Sequence, residues 1–288
     1  MAPADLWIDG APATVEDLAH QALVNYGAYT SFALNEGAVR GLDRHLARLA
    51  EAGHELFGAA VPEAEVRASL RQALGTRSDA FVRVSLFSRE ISARSPDPVG
   101  QPRVMVGVFP PVAPLGDTPL KLQIQTYVRE AAHLKHAATF GLIRARRQAL
   151  ASGFDDALFV DGQGRVSEGS VWNIGFLSGN AVIWPEAPML GGVSQALIGD
   201  HLSSVGLEQQ TQVITLDDLR RFDGAFITNS ATPACAVASL GDQVFASDPE
   251  RLGRVDEGAG GGGDHVDIDL AGSRAGHLPA AEADGGGP

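Results

Sequence analysis

The chain carries two lysines, Lys121 and Lys135, and Lys135 lies between histidines in His133-Leu134-Lys135-His136. A lysine amine is protonated at its reference pKa of ~10.4. It acts as a nucleophile or base only when burial lowers that value or when it is converted to an imine. Arg48 follows His45 by three residues, on the same helical face, and supplies a permanent cation suited to a phosphate or carboxylate. Glu168 follows a tight turn and supplies a carboxylate. Each also has a plainer reading. Lys135 reads as a solvated charge, Arg48 with Arg44 as an exposed basic patch, Glu168 as an exposed turn acid and Leu190 as core. His133 and His136 suggest a metal, but no third ligand is spaced with them, so no metal is expected.

The elements that must position these groups are legible in part. A short strand near Leu6 to Ile8 meets a turn at Asp9-Gly10. Residues 41 to 57 place Leu42, Leu46, Leu49 and Leu56 at helical spacing, which predicts an amphipathic helix with one buried side. A second helix is expected over 63 to 74. AFVRVSLFS and RVMVGVFP then read as strands that pair in one sheet. The stretch 110 to 119 is too rich in proline to continue either element, and 113 to 119 is read as an interdomain linker. This gives a small N-terminal domain over 1 to 112 and a large domain over 120 to 250. The large domain should begin with the strand LKLQIQTYV, pass through a loop bearing Lys135, and enter a helix from about Ala138 to Ala151 stopped by Gly153. A meander with turns at DGQG and SGN, a helix from Val193 and strands at QVITL and GAFITNS complete it.

Composition bounds the function class. The 288 residues are 44% hydrophobic and 20% charged, ordinary for a globular chain with two cores. No run is apolar enough to span a membrane, and the first residues lack the basic and apolar regions of a secretory signal, so a cytoplasmic protein is expected. A net charge of −13 opposes nonspecific binding to nucleic acid or anionic membranes. Small-molecule chemistry is therefore expected. Cys235 is the single cysteine, which excludes an intrachain disulfide. Residues 257 to 288 read as a glycine-rich, acidic, disordered tail unable to form a core. Its GAGGGG run has no preceding strand and no Lys-Ser/Thr, so it is not a phosphate loop.

Four separated motifs, in order, resemble those of the class IV, or fold type IV, pyridoxal-phosphate enzymes. That family includes branched-chain and D-amino-acid aminotransferases and aminodeoxychorismate lyase. The motifs are HLARL at 45 to 49, HLKH at 133 to 136, RVSEGSVWNIGF at 165 to 176, and LGGVSQ at 190 to 195 with TNSAT at 228 to 232. The resemblance implies a two-domain α+β or α/β fold, pyridoxal 5'-phosphate as cofactor and a homodimer. It implies Lys135 as the Schiff-base lysine, Arg48 on the cofactor phosphate and Glu168 at the pyridine nitrogen. It further implies Leu190 against the ring, Val193 and Ser194 at a helix start beneath the phosphate, and added donors from Ser230 and the Ala231 amide. That helix start suits an anion because free N–H groups and the dipole's positive end converge there.

The resemblance implies small amino-acid and keto-acid substrates but divides over the reaction. Arg83 in AFVRVSLF resembles a branched-chain enzyme's carboxylate-binding arginine. Phe140, however, stands where those enzymes carry a tyrosine, and Gln195 replaces the fourth motif's usual arginine. The Leu-Lys-His triplet and Tyr29-Thr30-Ser31-Phe32 look more like the lyase, and Tyr29 and Phe32 join Arg83 as substrate candidates. An aminotransferase is the leading expectation. A 4-amino-4-deoxychorismate lyase and a catalytically silent binding homologue are the alternatives. The residues after 245 are expected to replace the family's longer closing helix.

Overall fold

A computed structural model describes residues 5–96, 100–246, 248–260 and 265–267. The N-terminal half contains β1 (Asp5–Ile8), β2 (Ala11–Pro12), α1 (Val15–Leu23), β3 (Ala28–Asn35), β4 (Ala38–Arg40), α2 (Leu42–Phe57), α3 (Glu63–Leu74), β5 (Ala80–Phe87) and β6 (Arg103–Phe109). Asp9 and Gly10 turn with φ of 47° and 78°. The expected helices over 41 to 57 and 63 to 74 and the two expected strands are present, and β5 pairs with β6. Leu42, Leu46 and Leu49 are buried against the sheet, with Leu56 partly covered beside them. Each fully buried leucine of this kind contributes about 1.5–3 kcal/mol.

Along β3 the even-numbered Ala28, Thr30, Phe32 and Leu34 are buried, while Tyr29, Ser31 and Ala33 face the other way. That alternation separates two of the expected substrate residues. Phe32 is 1% exposed and belongs to the small-domain core, its ring 5.1 Å from that of His45, although it borders a cavity described below. A two-residue period sends Tyr29 and Phe32 to opposite faces, so the two do not share one substrate wall.

From Phe109 to Leu120 the chain has no helix or strand. Then come β7 (Leu120–Thr126), α4 (Phe140–Ala151), β8 (Asp156–Val160), β9 (Val166–Gly169), β10 (Asn173–Ser178), β11 (Ala181–Pro185), α5 (Val193–His201), β12 (Glu208–Gln212), β13 (Gly224–Asn229), β14 (Thr232–Leu240), β15 (Gln243–Val244), α6 (Pro249–Gly260) and β16 (His265–Asp267). The large sheet runs β12-β11-β10-β13-β14-β7-β8-β9, and a further β9–β10 pairing closes six of these strands into a ring. The closing pair is Glu168 opposite Asn173. The expected meander is present from β8 to β11, each strand pairing antiparallel with the next, while β13 and β14 complete the ring on the other side of β10.

Three boundaries depart from the sequence reading. The strand expected at QVITL is instead β12, EQQTQ, exposed throughout and held by parallel pairing to β11; Ile214 is buried beyond it and a 3-10 turn spans Leu216–Arg221. A polar edge strand leaves no apolar alternation to read. A closing helix does follow residue 245: α6 crosses the expected start of the tail at 257 and seats Val255 at 0% exposure beside Ile198 and Leu202. One apolar stripe suffices to dock a helix despite glycine-rich surroundings. Within the expected tail, β16 pairs antiparallel with β4, since a sheet edge accepts any extended backbone. The rest of that tail lies outside the described residues. Among the described residues, no helix is long and apolar enough to cross a membrane.

Candidate active site

Lys135 sits in the loop between β7 and α4, and the loop is stitched to the start of β3. Tyr29 N donates to the Lys135 carbonyl at 2.8 Å, and Ala137 N donates to Gly27 O at 2.8 Å. Leu134 N reaches back to Ala131 O at 2.8 Å, closing a turn in which Ala131 takes φ 42°. The Lys135 amine is half-buried, 5.2 Å from the centre of the Tyr29 ring. Burial first, then the cations Arg48 and Arg129, pull its pKa down to about 8, with Glu168 opposing and Arg83 adding to the shift. Near neutral pH the group therefore has an appreciable neutral fraction, the form that attacks a carbonyl or accepts a proton.

Glu168 approaches from β9, its side chain 7% exposed. It accepts from Arg129 Nη1 at 3.2 Å and from Leu190 N at 3.3 Å. Burial pushes its carboxyl above the usual range, and Arg129 opposes that shift. Asn173, across the closing strand pair, donates to Leu190 O at 2.8 Å, so Glu168 and Asn173 together fix the backbone of Leu190. Leu190 itself is 8% exposed.

Arg48 projects from α2 and donates through Nη2 to the carbonyl of Gly191, immediately before α5. Burial lowers its pKa from the ordinary arginine value. One turn earlier, His45 is 1% exposed, shares a 2.6 Å hydrogen bond between Nδ1 and Thr30 Oγ1, and leaves Nε2 buried without a partner. Burial, then Arg48 and Lys135, hold the His45 pKa at about 3, so the ring is neutral. The α2 and α5 starts also touch. A Cβ on Gly41, at φ 60°, would lie 3.0 Å from Val193 Cγ1 and 3.1 Å from Leu197 Cδ1.

Most of the expected site residues border one of two cavities, while Glu168, Leu190 and Arg83 border neither. One of about 140 Å³ is bordered by Tyr29, Arg48 and Lys135, with Glu51, Glu55 and His133 toward solvent. The other, about 500 Å³, is bordered by Val193, Ser194, Ser230 and Ala231. Arg48 on Gly191 spans from the first group toward the second. Arg83 stacks its guanidinium 3.6 Å over the Tyr29 ring and is among the cations acting on Lys135, so these two substrate candidates sit together. The Ala231 amide is not a free donor. Asn229 Oδ1 accepts from both Ala231 N and Thr232 N at 2.9 Å, because an asparagine at a strand end caps its own turn. Phe140 is 78% exposed at the first position of α4 and faces solvent.

Sequence reasoning missed Arg129, whose side chain is only 5% exposed. An arginine six residues before the lysine reads as a surface charge; the available signal was that a buried Glu168 requires a cation. It also passed over Asn173, although the residue lies in the quoted EGSVWN segment.

The profile of the amino-transferase class IV family matches residues 27–240. A probable branched-chain-amino-acid aminotransferase of Rickettsia bellii is 25% identical over 251 residues, covering 82% of this chain and 86% of the relative. Among solved structures, the T.th. branched-chain amino acid aminotransferase with pyridoxamine 5'-phosphate superposes with a TM-score of 0.77 at 21% identity, over 90% of this chain and 93% of that one. A putative 4-amino-4-deoxychorismate lyase of Legionella pneumophila gives 0.70 at 20% identity, over 80% and 89%. These structures share a two-domain type IV fold with this chain. The extent of the profile match, which takes in Lys135, Glu168 and the start of α5 within one continuous span, places the chain in the amino-transferase class IV family.

Proposed function

We propose that this chain is a pyridoxal-phosphate-dependent aminotransferase that moves an amino group between a small amino acid and a 2-keto acid, with Lys135 as its catalytic base. The observation that carries the reading is the amine of Lys135, lowered to about 8 between Arg48 and the buried Glu168–Arg129 pair. The residues present fit the cofactor. Arg48 and the α5 N-terminus would hold its phosphate, Glu168 would face its pyridine nitrogen, and Leu190 would pack on its ring. The α5 entry is built for close approach: a Cβ on Gly192 would lie 2.0 Å from Asn173 Oδ1, so only a glycine lets the backbone pass there.

When bound, the cofactor supplies an electron sink for the substrate α-carbon. The chain supplies the rest. Lys135 Nζ would anchor the cofactor and, once the substrate amine has displaced it, would take the proton from the substrate α-carbon and deliver it to the cofactor C4'. Glu168, paired with Arg129, would stabilise positive charge opposite it. Arg83 over Tyr29 offers a guanidinium to the substrate carboxylate. The Ser194 hydroxyl and the first amides of α5 would orient the phosphate.

A lyase that releases pyruvate from 4-amino-4-deoxychorismate shares the first proton transfer. It is favoured by one observation, the outward-facing Phe140 where aminotransferases of the branched-chain type place a tyrosine. A homodimer in the cytoplasm completes the proposal. Reconstitution with pyridoxal 5'-phosphate should give a long-wavelength absorption band that Lys135→Ala abolishes, with activity falling about 10²–10⁴-fold. A band unchanged in Lys135→Ala sinks the reading. A panel of amino donors with 2-oxoglutarate or pyruvate, run beside 4-amino-4-deoxychorismate, separates the two reactions. Conversion of the cofactor to its amine form decides for transfer, and pyruvate release without conversion decides for the lyase.

A further inference from the structure

Arg129 makes more contacts than an arginine serving only as a counter-ion needs. Its Nη1 donates to Ala132 O at 3.1 Å and to Glu168 Oε1 at 3.2 Å, and its Nη2 donates to Leu134 O at 2.8 Å. The two carbonyls belong to the turn that ends at Lys135. The carboxylate belongs to β9, on the strand that closes the ring. Arg129 Nε is buried and without a partner, so the side chain bears a desolvation cost that its other bonds must offset. A buried arginine held by one carboxylate and two consecutive-turn carbonyls has its guanidinium plane fixed by bonds in two directions. The turn it holds carries the non-glycine residue Ala131 in the left-handed region, a conformation that persists only where the surroundings enforce it.

We propose that Arg129 is a positioning residue for the reaction: one guanidinium ties the Glu168 carboxylate to the backbone that presents Lys135, so that the acid and the amine are set at a fixed spacing. The inference rests on the roles given above to Lys135 and Glu168. It assigns Arg129 two separable jobs. As a cation it opposes the effect of burial on the Glu168 carboxyl and holds down the proton affinity of Lys135. As a fork it fixes the 131–134 turn. A lysine at 129 keeps the first job and loses the second, because an ammonium cannot reach three acceptors in one plane.

The test uses the full chain with Arg129→Lys and Arg129→Met, first without cofactor. Lys135 and Lys121 are the only lysines, so acetylation with acetic anhydride, read by peptide mass spectrometry across pH, reports Lys135 with Lys121 as internal reference. Wild type should titrate at Lys135 near pH 8. Arg129→Met should move that midpoint upward by half a pH unit or more, and Arg129→Lys should leave it near the wild-type value. After loading with pyridoxal 5'-phosphate, both variants should still form the Lys135-dependent absorption band but convert it with an amino donor about 10–100-fold more slowly, as loss of an orienting partner does. Arg129→Lys is the decisive variant, since it retains the charge if Arg129→Met fails to fold. Conversion by Arg129→Lys within twofold of wild type overturns the proposal. A midpoint in Arg129→Lys displaced as far as in Arg129→Met overturns the division into two jobs. A Lys135→Ala protein that keeps the band would instead overturn the functional reading beneath it, a result distinct from either.

Discussion

On the large-domain side of Lys135, Glu168 and Arg129 neutralise each other, and their polar atoms are tied to backbone at Leu190, Ala132 and Leu134. On the small-domain side, Arg48 and Arg83 have no ion-pair partner among the described residues, although burial disfavours their charge. Arg48 is bonded to a carbonyl, and Arg83 rests on an aromatic face and a 3.4 Å contact to Ser85 Oγ. A desolvated cation without a carboxylate costs stability and persists where an anion is to be received. One side is therefore built as permanent structure and the other as a receptor. On the proposed reading, Arg48 with the start of α5 would receive the cofactor phosphate, Arg83 the substrate carboxylate, and Glu168 would face the ring nitrogen.

Removing either side should have opposite consequences for stability and binding. The largest effect is expected for Glu168→Ala, which leaves Arg129 charged and buried: destabilisation of about 3–5 kcal/mol in urea unfolding of the cofactor-free protein. A loss below about 1 kcal/mol would break the contrast. Arg48→Met should instead leave unfolding of the cofactor-free chain unchanged or slightly improved. Its affinity for pyridoxal 5'-phosphate, followed by fluorescence titration, should fall about 10–100-fold, the worth of a charge-assisted bond. Equal losses of stability and affinity would show Arg48 to be structural.

A smaller effect concerns pH. His45 has a folded pKa near 3 against an ordinary value of 6.5, so the unfolded chain binds the extra proton first. Its contribution to stability is present above pH 6.5 and is lost progressively as pH falls toward 3. The urea midpoint of wild type should drop between pH 7 and pH 5 by more than that of His45→Gln; equal drops would remove His45 from the account. The smallest effect is expected for Phe140→Tyr. With 78% of its surface exposed, the side chain contributes little packing, so stability should stay within about 0.5 kcal/mol and the cofactor spectrum should not move.

Much of this was legible because the motif residues are placed by local geometry. Arg48 follows His45 on one strongly periodic helix, and α2 and α3 lie where their leucine and alanine stripes predict. What escaped the sequence depends on contacts between distant segments. Arg129 is distinguished from a surface arginine only by Glu168, which the ring closure brings to it. Tyr29 and Phe32 look equally suited to a substrate wall until pairing with β5 fixes which face each takes. The Ala231 amide looked free until the side chain of Asn229 was seen to turn onto it. β12 and β16 owe their form to backbone pairing at sheet edges, to which side-chain pattern contributes nothing.

Gly41 sets a clearance between the two domains. With φ at 60°, a conformation other side chains rarely adopt, and Val193 Cγ1 and Leu197 Cδ1 3.0 and 3.1 Å from any added Cβ, another residue there is strained and asks those side chains to give by a few tenths of an ångström. For protein engineering this is a tolerance specification. A small domain grafted from a relative should present a glycine at 41, so that α2 starts without strain beside Val193 and Leu197.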